Sequence, residues 1–177
     1  PAKRHPRLNE VTLALGATLL VQAGMHSDAS TARAQLERVR DDGTALEFWG
    51  RSIEAMGGNP RVIESPEEVM AKAAVVREVK AQRTGTLSGY DVRQVGMTVV
   101  ELGGGRTQPD AAIDPSVGLS HIALAGTKCH PGDTLAVLHA RTEEEWSRAQ
   151  TRFLSALEWD SETETPEVIR GQVGQSS

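Results

Sequence analysis

The segment 8–20 constrains the fold most, because it carries apolar residues on nearly every side of a predicted helix. Two apolar stripes at helical spacing run along it: Leu8, Val11, Leu15 and Leu19 form the first, and Leu13 and Leu20 form the second. A helix of this kind needs other parts of a protein to cover it on more than one side. The segment therefore predicts a first helix buried in a larger body.

Composition excludes several classes of protein. The 177 residues suffice to bury a core, and 38% hydrophobic with 24% charged residues argue against a disordered chain. A net charge of -5 disfavours a general nucleic-acid binder. The longest apolar stretch, 11–23, is too short and too often interrupted to span a membrane. We therefore expect a cytoplasmic protein that has neither nucleic acid nor membrane as a partner.

The periodicity of the sequence changes near residue 74 and predicts three parts. Residues 1–73 predict a helical part, residues 74–160 predict short strands with two helices, and residues 161–177 form a polar tail. The fold class expected is α+β. The predicted strands are 75–80, 86–90, 119–125 and 134–139, with an edge strand at 167–170, and capping boxes are predicted at 44–47 and 142–145.

Three histidines and one cysteine are the residues that could carry metal or thiol chemistry. The histidines recur at even spacing, at His121, His130 and His139, but this spacing is not that of a zinc site. The single cysteine, Cys129, excludes an internal disulfide and is interpreted as a surface thiol without a role. We therefore expect no metal site and no nucleophile here.

Two acidic groups could supply acid–base carboxylates. Glu143, Glu144 and Glu145 fit the acidic first turn of a helix. Glu162, Glu164 and Glu167 lie in the polar tail. Since neither group has an implied pocket or partner, we expect no catalytic residue among them.

A glycine-rich segment, Gly103-Gly104-Gly105-Arg106, follows the helix predicted after Asp91. A phosphate cradle normally opens a helix, where the dipole is positive, whereas this segment closes one. Residues 103–115 instead have the composition of a mobile surface loop. The sequence therefore predicts a helix stop followed by a loop.

Several segments, taken together, resemble the thymidine and pyrimidine-nucleoside phosphorylases. In the first part of the chain they are 7–15, 42–45 and 55–60. In the second part they are 77–81, 85–88, 95–97, 101–106, 113–118, 132–135 and 138–140. The resemblance runs from about Pro6 to about Glu167, and it is the order and spacing of the segments that make it specific.

The resemblance implies an enzyme that cleaves a pyrimidine nucleoside with inorganic phosphate, giving the base and a (deoxy)ribose 1-phosphate, without a cofactor. The family is a homodimer whose active site lies between a small helical domain and a large α/β domain. This chain would be the rear of the large domain, ending in a C-terminal domain of barrel-sandwich-hybrid type. Lipoyl and biotinyl carriers share that type, but Lys128 lacks the methionine neighbour of a carrier lysine. The resemblance also places residues 103–115 beside the substrate cleft, so Gly103, Gly104, Gly105 and Arg106 are candidate lid residues.

The chain departs from the family where the family's catalytic residues lie. It has no Lys-His-Ser run and no Gly/Ser-rich phosphate loop after a strand. It begins at Pro1, just after the family's catalytic N-terminal half would end, as expected of a piece of a longer protein. We therefore expect no catalytic or substrate-binding residue here, an inactive isolated chain, and the missing N-terminal half as its partner. The alternative is a stand-alone, non-catalytic binding or assembly module.

Overall fold

The computed structural model describes residues 4–160, 165–171 and 173, with only the backbone of Asp160. Helices and short antiparallel strands both occur, which confirms the α+β class. The chain divides into two compact units, which are described separately. The first comprises the described parts of Pro1–Val69 and Glu167–Ser177, and the second comprises Met70–Pro166.

The first unit is helical. Its elements are α1 (Pro6–Gln22), α2 (Ala29–Asp41), α3 (Thr44–Ala55), a 3₁₀ turn (Pro60–Ile63) and the short α4 (Pro66–Val69). The capping box predicted at 44–47 is wrong, because α3 begins after Gly43 and Thr44 already lies inside the helix. Instead, the Thr44 N–H donates to the Asp42 carboxylate at 2.9 Å.

Helix α1 buries one of its two sides. Leu13 and Ala17 are each 3% exposed, whereas Leu8, Leu15 and Leu19 are 64%, 59% and 64% exposed. At 100° per residue these two groups lie on opposite faces of the helix. The helix was predicted to be buried on nearly every side, and in this chain only the face of Leu13 and Ala17 is covered. In the part of the chain that the structure describes, no helix is long and apolar enough to cross a membrane.

The second unit contains two three-stranded antiparallel sheets. In the first, β5 (Thr134–Ala140) lies between β1 (Val75–Lys80) and β3 (Gly118–Ser120). In the second, β2 (Gly85–Tyr90) lies between β4 (Lys128–Cys129) and β6 (Leu157–Asp160). Two helices complete the unit: α5 (Val92–Val99), which continues into a π turn (Val100–Gly104), and α6 (Glu143–Ser155).

Two predicted boundaries and one predicted strand are corrected. The strand predicted at 119–125 ends at Ser120, where His121 adopts a left-handed φ of 52°. Leu157, interpreted as the last apolar position of a helix, instead begins β6 and pairs with Tyr90. The edge strand predicted at 167–170 is absent from residues 165–171, and the predicted carboxylates at 162 and 164 lie outside the described residues.

Phe153 of α6 anchors the core of the second unit. It is fully buried and packs with Val79, Leu102, Leu135 and Leu138, which are 0–1% exposed. We expect Phe153→Ala to lower the free energy of unfolding by about 3–5 kcal/mol, because it removes buried contacts and leaves a cavity. Urea denaturation measures this, with Thr151→Ala on the exposed side of α6 as the control. A loss below about 1 kcal/mol contradicts this packing.

Candidate functional site

Residues 104–113 form a loop within the second unit, and residues 103–105 and 114 form the neck at its base. The Asp114 N–H donates to the Gly103 carbonyl at 2.9 Å, so the two ends of the segment are hydrogen-bonded together. Gly103 closes the π turn with a left-handed φ of 97°. That conformation is open to glycine and costly for other residues. The neck is therefore a fixed feature, and the residues between its ends form a closed loop.

The next two glycines allow a close approach of the backbone to its neighbours. A Cβ atom on Gly104 would lie 2.9 Å from the Val99 Cγ1 atom and 3.4 Å from the Val117 carbonyl oxygen. One on Gly105 would lie 2.7 Å from the Val100 Cγ2 atom. Both positions thus exclude a side chain unless the neighbours shift. The glycines of the predicted loop belong to its packed neck.

The tip of the loop differs from the neck. All side chains from Arg106 to Asp110 are exposed. Within the described ranges the Arg106 guanidinium makes no hydrogen bond or ion pair. Arg106 is therefore a cation that is available to an anionic group brought to the loop.

Arg141 lies against the neck. A Cβ atom on Gly103 would be 3.4 Å from each of the Cζ, Nη1 and Nη2 atoms of Arg141, so the guanidinium group spreads across the glycine. Glu145 fixes that group, accepting from Nε at 3.1 Å and from Nη2 at 2.7 Å. These hydrogen bonds hold the pKa of Glu145 below its usual value.

The capping box predicted at 142–145 is present in a modified form. The Glu145 N–H donates to the Thr142 hydroxyl at 3.2 Å, as in the standard motif. The Glu145 carboxylate, however, accepts from the Arg141 N–H at 3.3 Å instead of from Thr142. Glu145 therefore orders both the backbone and the side chain of Arg141.

Asp114 completes the charge arrangement at the neck. Its Oδ1 atom accepts from the Ser116 N–H at 2.9 Å and from the Ser116 hydroxyl at 2.6 Å. These hydrogen bonds, followed by the positive charge of Arg141, lower the pKa of Asp114. The Arg141 guanidinium, which is paired with Glu145 and acts on Asp114 through its charge, thus lies where the loop begins and ends.

The structure brings two of the three candidate histidines together. The Ser120 hydroxyl lies 2.8 Å from His139 Nε2 and 3.0 Å from His121 Nδ1, whereas His130 is exposed in the turn before β5. Among the described residues, no group of three or more His, Cys, Asp or Glu side chains is placed to hold a metal ion. Ser120 and the two histidines therefore form a hydrogen-bonded cluster.

Cys129 is buried, at 2% exposure, so its interpretation as a surface thiol is wrong. The cause is the pairing of β4 with β2, which sets Cys129 opposite Gly85. Burial, with a smaller contribution from Asp133, raises the pKa of the thiol and thereby lowers its reactivity. The neighbouring Lys128 is exposed.

A shallow groove of about 870 Å³ lies along α5 and α6. Its two arginines are engaged by acidic partners. Arg152 donates to Glu101 at 2.9 and 2.6 Å and to Gln94 at 2.6 Å, and Arg148 donates to Glu144 at 2.6 Å. The groove therefore offers no unpaired guanidinium to a phosphate. The Gly103–Pro115 loop remains the candidate functional site.

Comparison with known proteins shows which proteins this chain is similar to. A sequence model described as the pyrimidine nucleoside phosphorylase C-terminal domain matches residues 86–160. A protein named thymidine phosphorylase from Colwellia psychrerythraea is 38% identical over 168 residues, which is 94% of this chain and 38% of that protein. A thymidine phosphorylase from Burkholderia orbicola is 38% identical over 171 residues, which is 97% of this chain and 39% of that protein.

The chain thus spans less than two-fifths of the length of these relatives. The family match begins at the second residue of β2 and ends at the last residue of β6, so it contains the neck, the loop and the Arg141–Glu145 pair. Residues 86–160 therefore carry a domain like the C-terminal domain of the pyrimidine nucleoside phosphorylases, and nearly the whole chain is similar to part of two proteins named thymidine phosphorylase.

Proposed function

We propose that this chain is the C-terminal part of a thymidine or pyrimidine-nucleoside phosphorylase. The complete protein would cleave a pyrimidine nucleoside with inorganic phosphate, giving the base and a (deoxy)ribose 1-phosphate. The observation that carries the proposal is 38% identity over 94–97% of the chain to two proteins named thymidine phosphorylase. A stand-alone binding module, the alternative reading of the sequence, is not favoured, because the match extends through both units.

The complete protein, with this chain as its C-terminal part, provides the direct test. Purified protein incubated with thymidine or uridine should release free base only when phosphate is present. Chromatography quantifies the base, and an arsenate- and phosphate-free reaction is the control. Hydrolysis that proceeds equally without phosphate would contradict the proposal.

The proposed partners follow from the same family relationship. They are phosphate, the pyrimidine nucleoside and the N-terminal half of the same protein, which would supply the catalytic residues and the dimer contacts. We also propose a cytoplasmic homodimer that works without a cofactor. The exposed Leu8, Leu15 and Leu19 stripe supports the missing half as a partner, since an apolar surface of this kind normally has a covering element.

We propose a domain division that follows the periodicity of the sequence. Residues 1–73 would be the helical part of the large α/β domain, 74–160 the C-terminal domain, and 161–177 a polar tail. Two three-stranded antiparallel sheets within 74–160 support a barrel-sandwich-hybrid type for the C-terminal domain. Limited proteolysis followed by mass spectrometry locates the boundary, and a stable fragment beginning between residues 70 and 75 would support it.

We propose that the loop formed by Gly103, Gly104, Gly105, Arg106 and the residues up to Pro115 acts as part of a lid over the substrate cleft. A closing loop excludes water and completes a site. The unpaired Arg106 at its exposed tip supports this role, since a guanidinium binds phosphate or carboxylate groups well.

In the complete protein, Arg106→Ala is expected to raise the apparent KM about 10- to 150-fold, the range for losing one hydrogen bond to a charged group at about 1.5–3 kcal/mol. Arg93→Ala on the exposed side of α5 is the matched control and should leave KM unchanged. Steady-state kinetics at varied phosphate and nucleoside concentrations measure both variants. Unchanged kinetics for Arg106→Ala would remove the lid proposal.

A further inference from the structure

We propose that Arg141 is a positioning residue that clamps the neck of the Gly103–Pro115 loop, and that Glu145 fixes the clamp. The clamp itself is a property of this chain, and only its effect on catalysis rests on the proposed function. It would make residues 104–113 move as one body about a fixed base.

Three interactions meet at the base of the loop. The Asp114 N–H to Gly103 carbonyl hydrogen bond, at 2.9 Å, closes the loop. The guanidinium group of Arg141 spreads across Gly103, 3.4 Å from the position where any other residue would carry its Cβ atom. Glu145 then immobilises that group with hydrogen bonds of 3.1 and 2.7 Å. The loop base, the arginine and the first turn of α6 are thereby joined in one network.

The chemistry of arginine suits this position. A planar guanidinium can donate in its plane to a carboxylate while its face covers a glycine, whereas a lysine ammonium can donate but has no planar face. The positive charge also lies near the end of the α5 helix and its π turn, where the backbone dipole is negative. The positive charge of Arg141 also helps to lower the pKa of Asp114, because it stabilises the ionised carboxylate.

The Arg141–Glu145 ion pair is also less exposed than the Glu144–Arg148 ion pair of α6. The side chain of Glu145 is only 16% exposed, whereas Glu144, which pairs with Arg148, is 82% exposed. Exposed ion pairs contribute little because water and side-chain entropy oppose them. Arg148, which pairs with Glu144 at the same four-residue spacing but in the reverse order, therefore provides a control in which an exposed ion pair of α6 is removed.

Trypsin cleavage after Arg106 reports on the clamp directly, because a protease needs an extended segment and the closed loop must open to supply one. In the 177-residue chain, Arg141→Gln should raise the cleavage rate at the Arg106–Thr107 bond about 5- to 10-fold. Arg148→Gln should leave it at the wild-type rate. Mass spectrometry of the products identifies the bond, and thermal unfolding shows whether the domain remains folded.

Two further variants keep the proposal testable if Arg141→Gln does not fold. Gly103→Ala places a Cβ atom against the guanidinium and strains a left-handed backbone, so it should also raise cleavage after Arg106. Arg141→Lys keeps the charge without the planar face and should rescue the wild-type rate only in part. A wild-type rate in Arg141→Gln or in Gly103→Ala, an equal rise in Arg148→Gln, or full rescue by lysine would each overturn the clamp.

The kinetic consequence is tested separately in the complete protein. Arg141→Gln should raise the apparent KM in the same direction as Arg106→Ala, with a smaller change in kcat. Increased cleavage with unchanged KM would support the clamp and contradict the lid. An inactive complete protein would contradict the proposed function and leave the proteolysis result as the measure of the clamp.

Discussion

The isolated 177-residue chain is expected to release no free base from thymidine or uridine in the presence of phosphate. Phosphorolysis requires cationic or backbone donors around phosphate and further groups that stabilise charge on the sugar and base. In the part of the chain that the structure describes, the arginines of the α5–α6 groove are paired with carboxylates. Arg106, the candidate lid cation, stands on an exposed loop tip and makes no hydrogen bond or ion pair with the residues that the structure describes.

Relative to the complete protein, the isolated chain is expected to lose all phosphorolysis activity. Enzymes accelerate reactions by roughly a million-fold or more, so a chain without the assembled site should not exceed the uncatalysed rate. Equal molar amounts of the chain and of the complete protein should be compared by chromatographic detection of the free base. Phosphate-dependent release of base by the isolated chain, above a buffer blank, would show that it carries catalytic groups.

Strands flanked by turn residues were predictable from the sequence because their signal is local. The strands at 75–80 and 134–139 lie within one residue of the observed β1 and β5. The prediction of a strand over 119–125 is wrong beyond residue 120, because the apolar residues of this segment also fit a loop that packs on the domain. The Tyr90 hydroxyl donates to the Ala123 carbonyl at 2.7 Å, and the Ala123 N–H donates to the Leu135 carbonyl at 2.8 Å. Contacts with distant parts of the chain determine the conformation of residues 121–125, and the periodicity of the sequence contains no information about such contacts.

The end of α6 shows the same limitation. Leu157 continues the helical spacing of Trp146, Ala149 and Phe153, so the sequence alone extends the helix to it. The structure ends α6 at Ser155 and uses Leu157 to begin β6, which pairs with β2. A strand partner far away in sequence thereby overrides the local period.

The candidate site was predictable only in part. The sequence singles out Gly103–Arg106 and the capping box at 142–145, each from its own local pattern. The contact of Arg141 with Gly103 is long-range, so no local pattern could join the two features. The sequence likewise could not separate the packed glycine neck from the exposed tip, because both contain residues typical of loops.

The second large effect is expected for self-association of the isolated chain through helix α1. The Leu8, Leu15 and Leu19 stripe is exposed, on the face opposite the buried Leu13 and Ala17. Burying leucine side chains contributes about 1.5–3 kcal/mol each, so the stripe favours association. We expect the isolated chain to self-associate at tens of micromolar, and Leu15→Glu/Leu19→Glu to yield a monomer. Sedimentation velocity over a concentration series measures the change.

The design of this experiment depends on which face of α1 is altered. Leu13→Glu would place a charge in the helical unit and is expected to unfold it, so it cannot report on the exposed stripe. Ala29→Glu/Ser30→Glu, two exposed positions in the first turn of α2, adds the same charge where a helix tolerates it and should leave association unchanged. A wild-type chain that stays monomeric at all concentrations, or a Leu15→Glu/Leu19→Glu variant that associates like wild type, would show that the stripe does not drive association. If the complete protein buries the stripe under its N-terminal half, the same double variant should also lower the stability of that protein.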